Sequence, residues 1–284
     1  MATPIGNLAD ISLRALHVLS LADAIACEDT RHTRALLRAY GIDKAQAQLL
    51  AVHQHNEAAA SNLVIERLRL GQRVAYVSDA GTPAISDPGA RLVAAVRAHA
   101  LPVVPLPGPC SITTALSVSG ITADTDHAGQ FVFVGFLPHK AAERTQAVLV
   151  LAAEPRTVVL LEAPHRIEAV ANALGTLGDR HVTIGRELTK QFEEIATVRA
   201  ADFANWLAQQ PHRSRGEFVL VLHPAAVAVQ PGAELRVLTL LLAELPLKSA
   251  VKIAAEITGT SRNALYDAAL AMKKNADPAL PNVD

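Results

Sequence analysis

The sequence predicts an α/β protein, built as two α/β domains followed by a small helical appendage. Short β-rich apolar runs alternate with longer helical stretches, which is the rhythm of a parallel sheet wrapped by helices. Half of the residues are apolar but only 4% are aromatic. The core must therefore come from Ala, Val, Leu and Ile, as in sheets covered on both faces. The rhythm changes near residue 119 and again after Pro224, which divides the chain into 1–118, 119–225 and 232–275.

Each element has its own local signal. Residues 23–27 (DAIAC) read as a strand that runs into two acids. Residues 30–40 follow with helical spacing, with Thr30 as N-cap and Gly41 as the stop. Residues 49–53 (LLAVH) form the next strand, and 58–70 a helix closed by Gly71. Residues 73–78 (RVAYVS) are a strand leading into a loop rich in Gly, Pro, Ser and Asp. A helix over 87–100 has Pro88 in its first turn. Residues 101–106 read as a strand stopped by Pro107-Gly108-Pro109. The polar, aperiodic stretch 119–129 is a candidate linker.

In the second domain, strands are expected over 130–136, 156–162, 180–186, 193–199 and 217–223. Helices are expected over 142–153, 167–177 and 202–209, and the sheet is partly antiparallel. Residues 232–245, 246–259 and 260–274 read as three helices, and 275–284, with two prolines, as a frayed end.

Bulk properties exclude several classes. The formal net charge of −1 argues against a protein that coats nucleic acid non-specifically, while leaving room for a local basic site. Cys27 and Cys110 form neither a disulfide framework nor a zinc set, so a reducing, cytoplasmic compartment is the natural reading. Asp10 and Arg14 interrupt any apolar leader, and no apolar run is long enough to span a membrane.

Four loops carry candidate chemistry, because ligands of open α/β sheets bind at the carboxyl ends of strands. The first, ATPIGNL, is turn-like and precedes a helix beginning near Asp10. In the second, EDTRHTR, Glu28 and Asp29 end a strand, and Arg31 and Arg34 fall in the first helical turn. Cations there oppose the helix dipole, so either a capped helix or a phosphate partner accounts for the pattern. The third, SDAGTPAISDPG, brackets a Gly-Thr-Pro turn with two Ser-Asp pairs, Asp87 in the second. It lacks the lysine of a triphosphate loop, and its acids, hydroxyls and glycine suit a ribose or an amino-acid moiety. The fourth, PGPCS, offers backbone amides to a carboxylate, or is a strand-to-helix turn capped by Ser111.

His53, His55 and Glu57 look superficially metal-like, but no third histidine stands at helical spacing. A polar loop facing RNA or substrate is the reading adopted there, and no metal is expected. EAPHR places Arg166 near Glu162, and RELTK places Arg186 and Lys190 near Glu187; a ligand edge or a surface ion pair fits each.

Together, in order and spacing, ATPIGNL, EDTRHTR, HNE, SDAGTPAISDPG, PGP, GFLP, EAPHR, RELTK and GEFVLV resemble the tetrapyrrole-methylase superfamily. More narrowly they resemble its bacterial branch that methylates small-subunit ribosomal RNA. The resemblance runs from about Ala2 to Met272; SDAGTPAISDPG and EDTRHTR are its most specific motifs. It implies two α/β domains of tetrapyrrole-methylase type with S-adenosylmethionine in the cleft between them. Carried over by motif, the cofactor contacts Pro4, Gly6, Asp79, Ala80, Gly81, Thr82, Ser111, Leu161, Glu217 and Phe218.

The resemblance further implies 2′-O-methylation of a cytidine in 16S ribosomal RNA, by a homodimer. Ala163 departs from the serine common in the EAPHR box. Relatives also carry an apolar strand before ATPIGNL where this chain has Met1; a start placed too late, or a weakened first domain, is the expectation.

A ribose hydroxyl is a poor nucleophile, so a nearby carboxylate should take its proton. Asp29, Glu28 and Asp87 are the catalytic candidates, with Glu162 and Glu187 behind them. Arg31, Arg34, His55, Arg166, Arg186 and Lys190 are candidate RNA contacts. The tail resembles a helix-turn-helix-like appendage and adds Lys248 and Arg262. Two other functions fit the residues: methylation of a tetrapyrrole precursor, and non-catalytic RNA binding.

Overall fold

The computed structural model describes residues 1–53, 56–122, 129–225 and 233–276. The chain divides into two units, Met1–Ala226 and Val227–Asp284.

In the first unit a three-stranded parallel sheet has β1 (Ala24–Cys27) at its centre. It is flanked by β2 (Leu49–Ala51) and β3 (Val74–Val77). All four residues of β1 are buried, as a strand covered on both faces requires. Ile25 and Cys27 face a cluster with Ala15 and Leu19 of α1 (Leu13–Leu21) and Leu37 of α2 (Thr30–Ala39). Ala24 and Ala26 face Val64 and Ile65 of α3 (Glu57–Arg69) and Leu92 and Val96 of α4 (Ala90–Ala98). The period of two along the strand thus separates two helical layers.

Local chemistry corrects several expected boundaries. The N-cap of α2 is Asp29, not Thr30: its carboxylate accepts the Arg31 N–H at 2.8 Å. Helix α4 begins at Ala90 rather than 87, because Gly89 sits at φ +126°, where a Cβ would meet the Tyr76 ring at 2.4 Å. The predicted strand over 101–106 has no ladder. Its Leu106 carbonyl accepts one bond from Ala2 N–H at 3.5 Å, and a strand persists only where a neighbour completes the ladder. Cys110, not Ser111, takes the N-cap position of α5 (Ser111–Ser117).

The second sheet comprises β4 (Phe131–Gly135), β5 (Thr157–Glu162), β6 (His181–Arg186), β7 (Glu194–Arg199) and β8 (Phe218–Leu222). Its order is β4-β5-β8-β6-β7, with β4 and β5 parallel and the other pairs antiparallel. One face packs on α6 (Ala141–Ala152), α7 (Ile167–Leu174) and α8 (Phe203–Ala208), with Leu160, Ile184, Phe203 and Leu220 buried. The opposite face, Val159, Val219 and Val221, packs on Ile112 and Ala115 of α5 and on Leu188. Each fully buried aliphatic side chain contributes about 1.5–3 kcal/mol. Helix α5, which precedes the predicted linker, therefore covers the second sheet. Residues 123–128 of that linker lie outside the described residues.

In the second unit α9 (Ala233–Glu244), α10 (Leu247–Thr258) and α11 (Arg262–Ala276) close around Leu238, Val251, Ala254, Leu265 and Ala269. Gly259, left-handed at φ +69°, ends α10. The expected fray over 275–284 falls mostly outside the described residues, with α11 running to Ala276. Among the described residues no helix is long and apolar enough to cross a membrane.

A cleft as candidate active site

The ATPIGNL and SDAGTP loops are tied together by backbone. Thr3 and Gly81 form an isolated antiparallel bridge, each N–H donating to the other's carbonyl at 3.0 Å. The Thr3 hydroxyl donates to Ser78 O at 3.2 Å, and the Ser78 hydroxyl to Gly81 O at 3.1 Å. The Thr82 hydroxyl donates to Pro109 O at 3.1 Å, which joins the PGP loop to the same turn. Gly81, at φ +74°, allows the turn to reverse so close to Ile5.

This turn forms one wall of a cleft of about 420 Å³, within the range of small-molecule sites, about 300–1,000 Å³. Ile5, Ala80, Gly81, Thr82, Ile85, Ser86, Asp87 and Ser111 line one side. Leu161, Glu162, Ala163 and Pro164 from the end of β5, Glu217, Phe218 and Val219 from β8, and Phe136 and Leu188 line the other. Of the cofactor contacts expected from the motifs, Ala80, Gly81, Thr82, Ser111, Leu161, Glu217 and Phe218 meet here.

Pro4, Gly6 and Asp79 do not line the cleft. Pro4 is buried. Gly6 packs against the loop after β6, where a Cβ would meet Lys190 Cγ at 2.4 Å and Thr189 Oγ1 at 2.7 Å. Asp79 turns to the EDTR loop, its Oδ1 accepting the Asp29 N–H at 3.1 Å. Ile5, Ile85, Ser86, Phe136, Ala163, Pro164, Leu188 and Val219 were not singled out by sequence. All eight lie within the quoted motifs, and most are apolar, so their residue type carried no signal of its own.

The three candidate bases separate by environment. Asp29 is held by Arg31, whose Nε and Nη2 donate to it at 3.2 and 2.8 Å, and this pairing drives its pKa far down. The same pair explains how a cation stands in the first turn of α2 without a ligand. Glu28 is pushed up by burial, then by repulsion from Asp79, Asp87 and Asp29. Asp87 is pushed up by burial, then by Asp79, against a bond from Ser78. Asp87 alone of the three lines the cleft.

The predicted RNA contacts divide as well. Arg31 is 90% exposed, and Arg34 lines a separate hollow of about 220 Å³ with Arg38 and Lys44. Arg166 is turned inward: it pairs with Glu162 at 3.3 Å, meets His139 Nε2 at 3.1 Å and donates to Leu137 O. Arg186 is 4% exposed and donates to Phe192 O at 3.0 Å. Lys190 donates to Glu187 at 2.9 Å and Glu217 at 3.0 Å. Burial disfavours its charge, but these two bonds outweigh burial and raise its pKa. Through Glu162 and Glu217, Arg166 and Lys190 brace the cleft wall, whereas the partners of Arg186, Phe192 and Glu194, lie outside the lining. Lys248 and Arg262 are exposed on α10 and α11. His55 lies outside the described residues.

The HNE segment differs from expectation. Glu57 is buried, and its Oε1 accepts the N–H groups of Gly89, Arg91 and Leu92 at 3.0–3.2 Å. It caps α4 and lines a hollow with Ser86, Asp87 and Pro88. Among the described residues no group of three His, Cys, Asp or Glu side chains is placed to hold a metal ion.

The arrangement fits S-adenosylmethionine by its own chemistry. It offers a glycine turn for close backbone approach, hydroxyls on one wall and apolar residues on the other. In the apolar wall the buried carboxylate oxygen Glu162 Oε2 has no hydrogen-bond partner among the described residues.

Two sheets that meet at such a cleft define the tetrapyrrole (corrin/porphyrin) methylase family, and the chain belongs to that family: the family model matches residues 2–204. The RsmI C-terminal HTH domain model matches residues 228–273. The chain is 46% identical over 272 residues to a protein of Escherichia coli O157:H7 named ribosomal RNA small subunit methyltransferase I, covering 94% of this chain and 92% of that protein. The Vibrio cholerae protein of that name is 46% identical, over 93% of this chain and 91% of its own. Among solved structures, cobalt precorrin-4 methyltransferase aligns with a TM-score of 0.56 at 17% identity, over 78% of this chain and 92% of its own. Uroporphyrin-III C-methyltransferase from Thermus thermophilus, complexed with S-adenosyl homocysteine, aligns at 0.51 and 19%, over 78% and 95%. These two likenesses show the fold.

Proposed function

We propose that this protein uses S-adenosylmethionine to methylate the ribose 2′-hydroxyl of a cytidine in 16S ribosomal RNA. The observation that carries the reading is the similarity, along nearly the whole of both chains, to ribosomal RNA small subunit methyltransferase I of E. coli O157:H7. The cleft supports it with a volume and lining suited to a nucleoside-bearing ligand.

When bound, S-adenosylmethionine supplies an electrophilic methyl group. Ala80, Gly81, Thr82, Ser111, Leu161, Glu217 and Phe218 would hold it, and the Thr3–Gly81 bridge and the Asp29 N–H bond to Asp79 keep the turn in shape. Asp87 would accept the hydroxyl proton as the 2′-oxygen takes the methyl, with the sulfonium S–CH3 bond breaking and S-adenosyl homocysteine leaving; a carboxylate with a raised pKa is the better acceptor near neutral pH. Fixing both reactants in one cleft supplies much of the acceleration. Arg31 and Arg34, with Lys248 and Arg262 on the helical appendage, contact RNA phosphates. The same reading divides the chain at 1–118, 119–225 and 232–275 and makes the protein a cytoplasmic homodimer, which sedimentation at micromolar concentration tests.

Incubation with methyl-labelled S-adenosylmethionine and small ribosomal subunits lacking the modification tests the function. Label in 16S RNA, mapped to a ribose, is the expected result. Label in a tetrapyrrole precursor instead, or RNA binding with no transfer, overturns it.

A further inference from the structure

Phe136 and Ile85 both line the cleft and both stay open to solvent, Phe136 to 52% and Ile85 to 47%. They come from different sheets. Phe136 follows β4 of the five-stranded sheet, and Ile85 lies in the loop after β3 of the three-stranded one. A single exposed aliphatic side chain needs no explanation. A large apolar side chain from each sheet, exposed at one cleft, leaves apolar surface that a flat ring would cover on both of its faces.

The backbone bends beside each of them. Ala84, immediately before Ile85, is held at φ +65°, where a residue with a Cβ is uncommon. The β4–β5 register shifts between Phe133 and Gly135, and Gly135, at φ +76°, turns the chain just before Phe136. Bulges re-aim side chains next to active sites, and sparsely populated backbone conformations gather where ligands are clamped.

Asp87 decides which ring the pair would hold. It lines the same cleft two residues after Ile85, and it takes the proton of the ribose 2′-hydroxyl in the reaction proposed above. The base of that nucleotide hangs from C1′, next to the carbon that bears the reacting oxygen. The adenine of S-adenosylmethionine, by contrast, is set apart from its methyl by the ribose and the sulfur. A ring beside Ile85, with a 2′-oxygen at Asp87, is therefore the ring of the substrate. Unstacked RNA bases are commonly held against aromatic side chains in this way.

We propose that Phe136 and Ile85 clamp the base of the target nucleotide, unstacked from its RNA neighbours, and so position its ribose against Asp87. The inference rests on the methyl transfer to RNA proposed above. It makes both residues positioning residues, with no part in proton transfer.

Methylation of small ribosomal subunits lacking the modification by Phe136→Ala, Phe136→Tyr and Ile85→Ala, beside calorimetric titration of each with S-adenosyl homocysteine, tests it. Phe136→Ala should lower kcat/KM for subunits by about tenfold to a hundredfold, the worth of one stacked base, with S-adenosyl homocysteine affinity unchanged. Ile85→Ala should move the same way by a smaller factor. Phe136→Tyr, which keeps the flat face, should stay close to native. Unchanged kcat/KM in either alanine variant overturns the proposal, as does a tyrosine variant as impaired as the alanine one. So does an equal loss of S-adenosyl homocysteine affinity, which would place the ring on the adenine of the cofactor, or a changed sedimentation coefficient, which would place Phe136 between copies of the chain. A native protein that transfers no methyl to subunits would instead remove the function on which the inference rests. If Phe136→Ala melts lower, Phe136→Leu, which keeps apolar bulk without the flat face, decides: kcat/KM below that of Phe136→Tyr sustains the clamp, and kcat/KM equal to it overturns the clamp.

Discussion

Glu57 Oε1 accepts the backbone N–H of Gly89 at 3.0 Å, so the first residue of α3 caps the first turn of α4. The bonds from Arg91 and Leu92, at 3.2 Å each, complete a three-donor cradle at a helix N-terminus. Through this cap a buried acid fixes the end of the loop that carries Asp87.

Glu57→Ala should therefore cost about 1–3 kcal/mol, since three donors lose a charged acceptor inside the protein. Glu57→Gln, which keeps one acceptor oxygen, should cost less. Thermal denaturation checks both, and cofactor titration should show the alanine variant weaker because the loop over 78–89 loosens. A fully stable alanine variant would show that the cap does not hold the loop.

Asp87→Asn should lower turnover by about 10²–10⁴-fold, the usual worth of general base catalysis. Asp29→Asn should leave turnover within a few-fold, since asparagine caps a helix nearly as well as aspartate. Single-turnover methylation of ribosomal subunits distinguishes the two. The reverse order would return the proton-accepting role to Asp29.

The same substitution should stabilise the protein at neutral pH. Burial, with Asp79, raises the Asp87 pKa, and burial with Asp79, Asp87 and Asp29 raises that of Glu28. Both groups thus bind their proton more tightly in the fold than in the unfolded chain. Their contribution is complete below the ordinary carboxylate range and is lost as pH rises through the raised values. At pH 7 both charges are a cost, so Asp87→Asn should melt higher than the native protein at pH 7 and show little difference at pH 4. A lower melting temperature at pH 7 would contradict this.

Gly6→Ala places a methyl 2.4 Å from Lys190 Cγ and 2.7 Å from Thr189 Oγ1. The Lys190 stem can shift, but Lys190 Nζ is tied to Glu187 and Glu217, and Glu217 lines the cleft. Overpacking of this kind costs about 1–3 kcal/mol, and cofactor affinity should fall with it. Calorimetry reads the outcome; unchanged affinity would mean that the loop yields without disturbing the cleft.

Deleting residues from Gly232 onward should weaken RNA binding and spare cofactor binding. The cleft residues all lie within the unit Met1–Ala226, and the exposed Lys248 and Arg262 lie beyond it. Filter binding to small-subunit RNA at two salt concentrations, beside cofactor titration, tests this. Full-strength RNA binding by the shortened chain would assign the RNA contacts to Arg31 and Arg34 alone.

Periodicity and punctuation in the sequence placed most of the strand–helix succession, because the short apolar run DAIAC suits a strand covered on both faces and Gly41 and Gly71 can adopt the left-handed backbone that ends a helix. The motifs likewise marked Ala80, Gly81, Thr82, Leu161 and Phe218 as expected cofactor contacts, and these five line one cleft. Local pattern has no access to contacts made across the chain, and there the tertiary structure decided. It made Glu57 a helix cap and gave Arg166 and Arg186, expected as RNA contacts, partners inside the protein. It gave Asp29 to Arg31, left Asp87 at the cleft, denied 101–106 a ladder, and laid α5 on the second sheet. Each of these depends on which distant donor, charge or apolar face arrives beside the residue, and that is settled only when the sheets close.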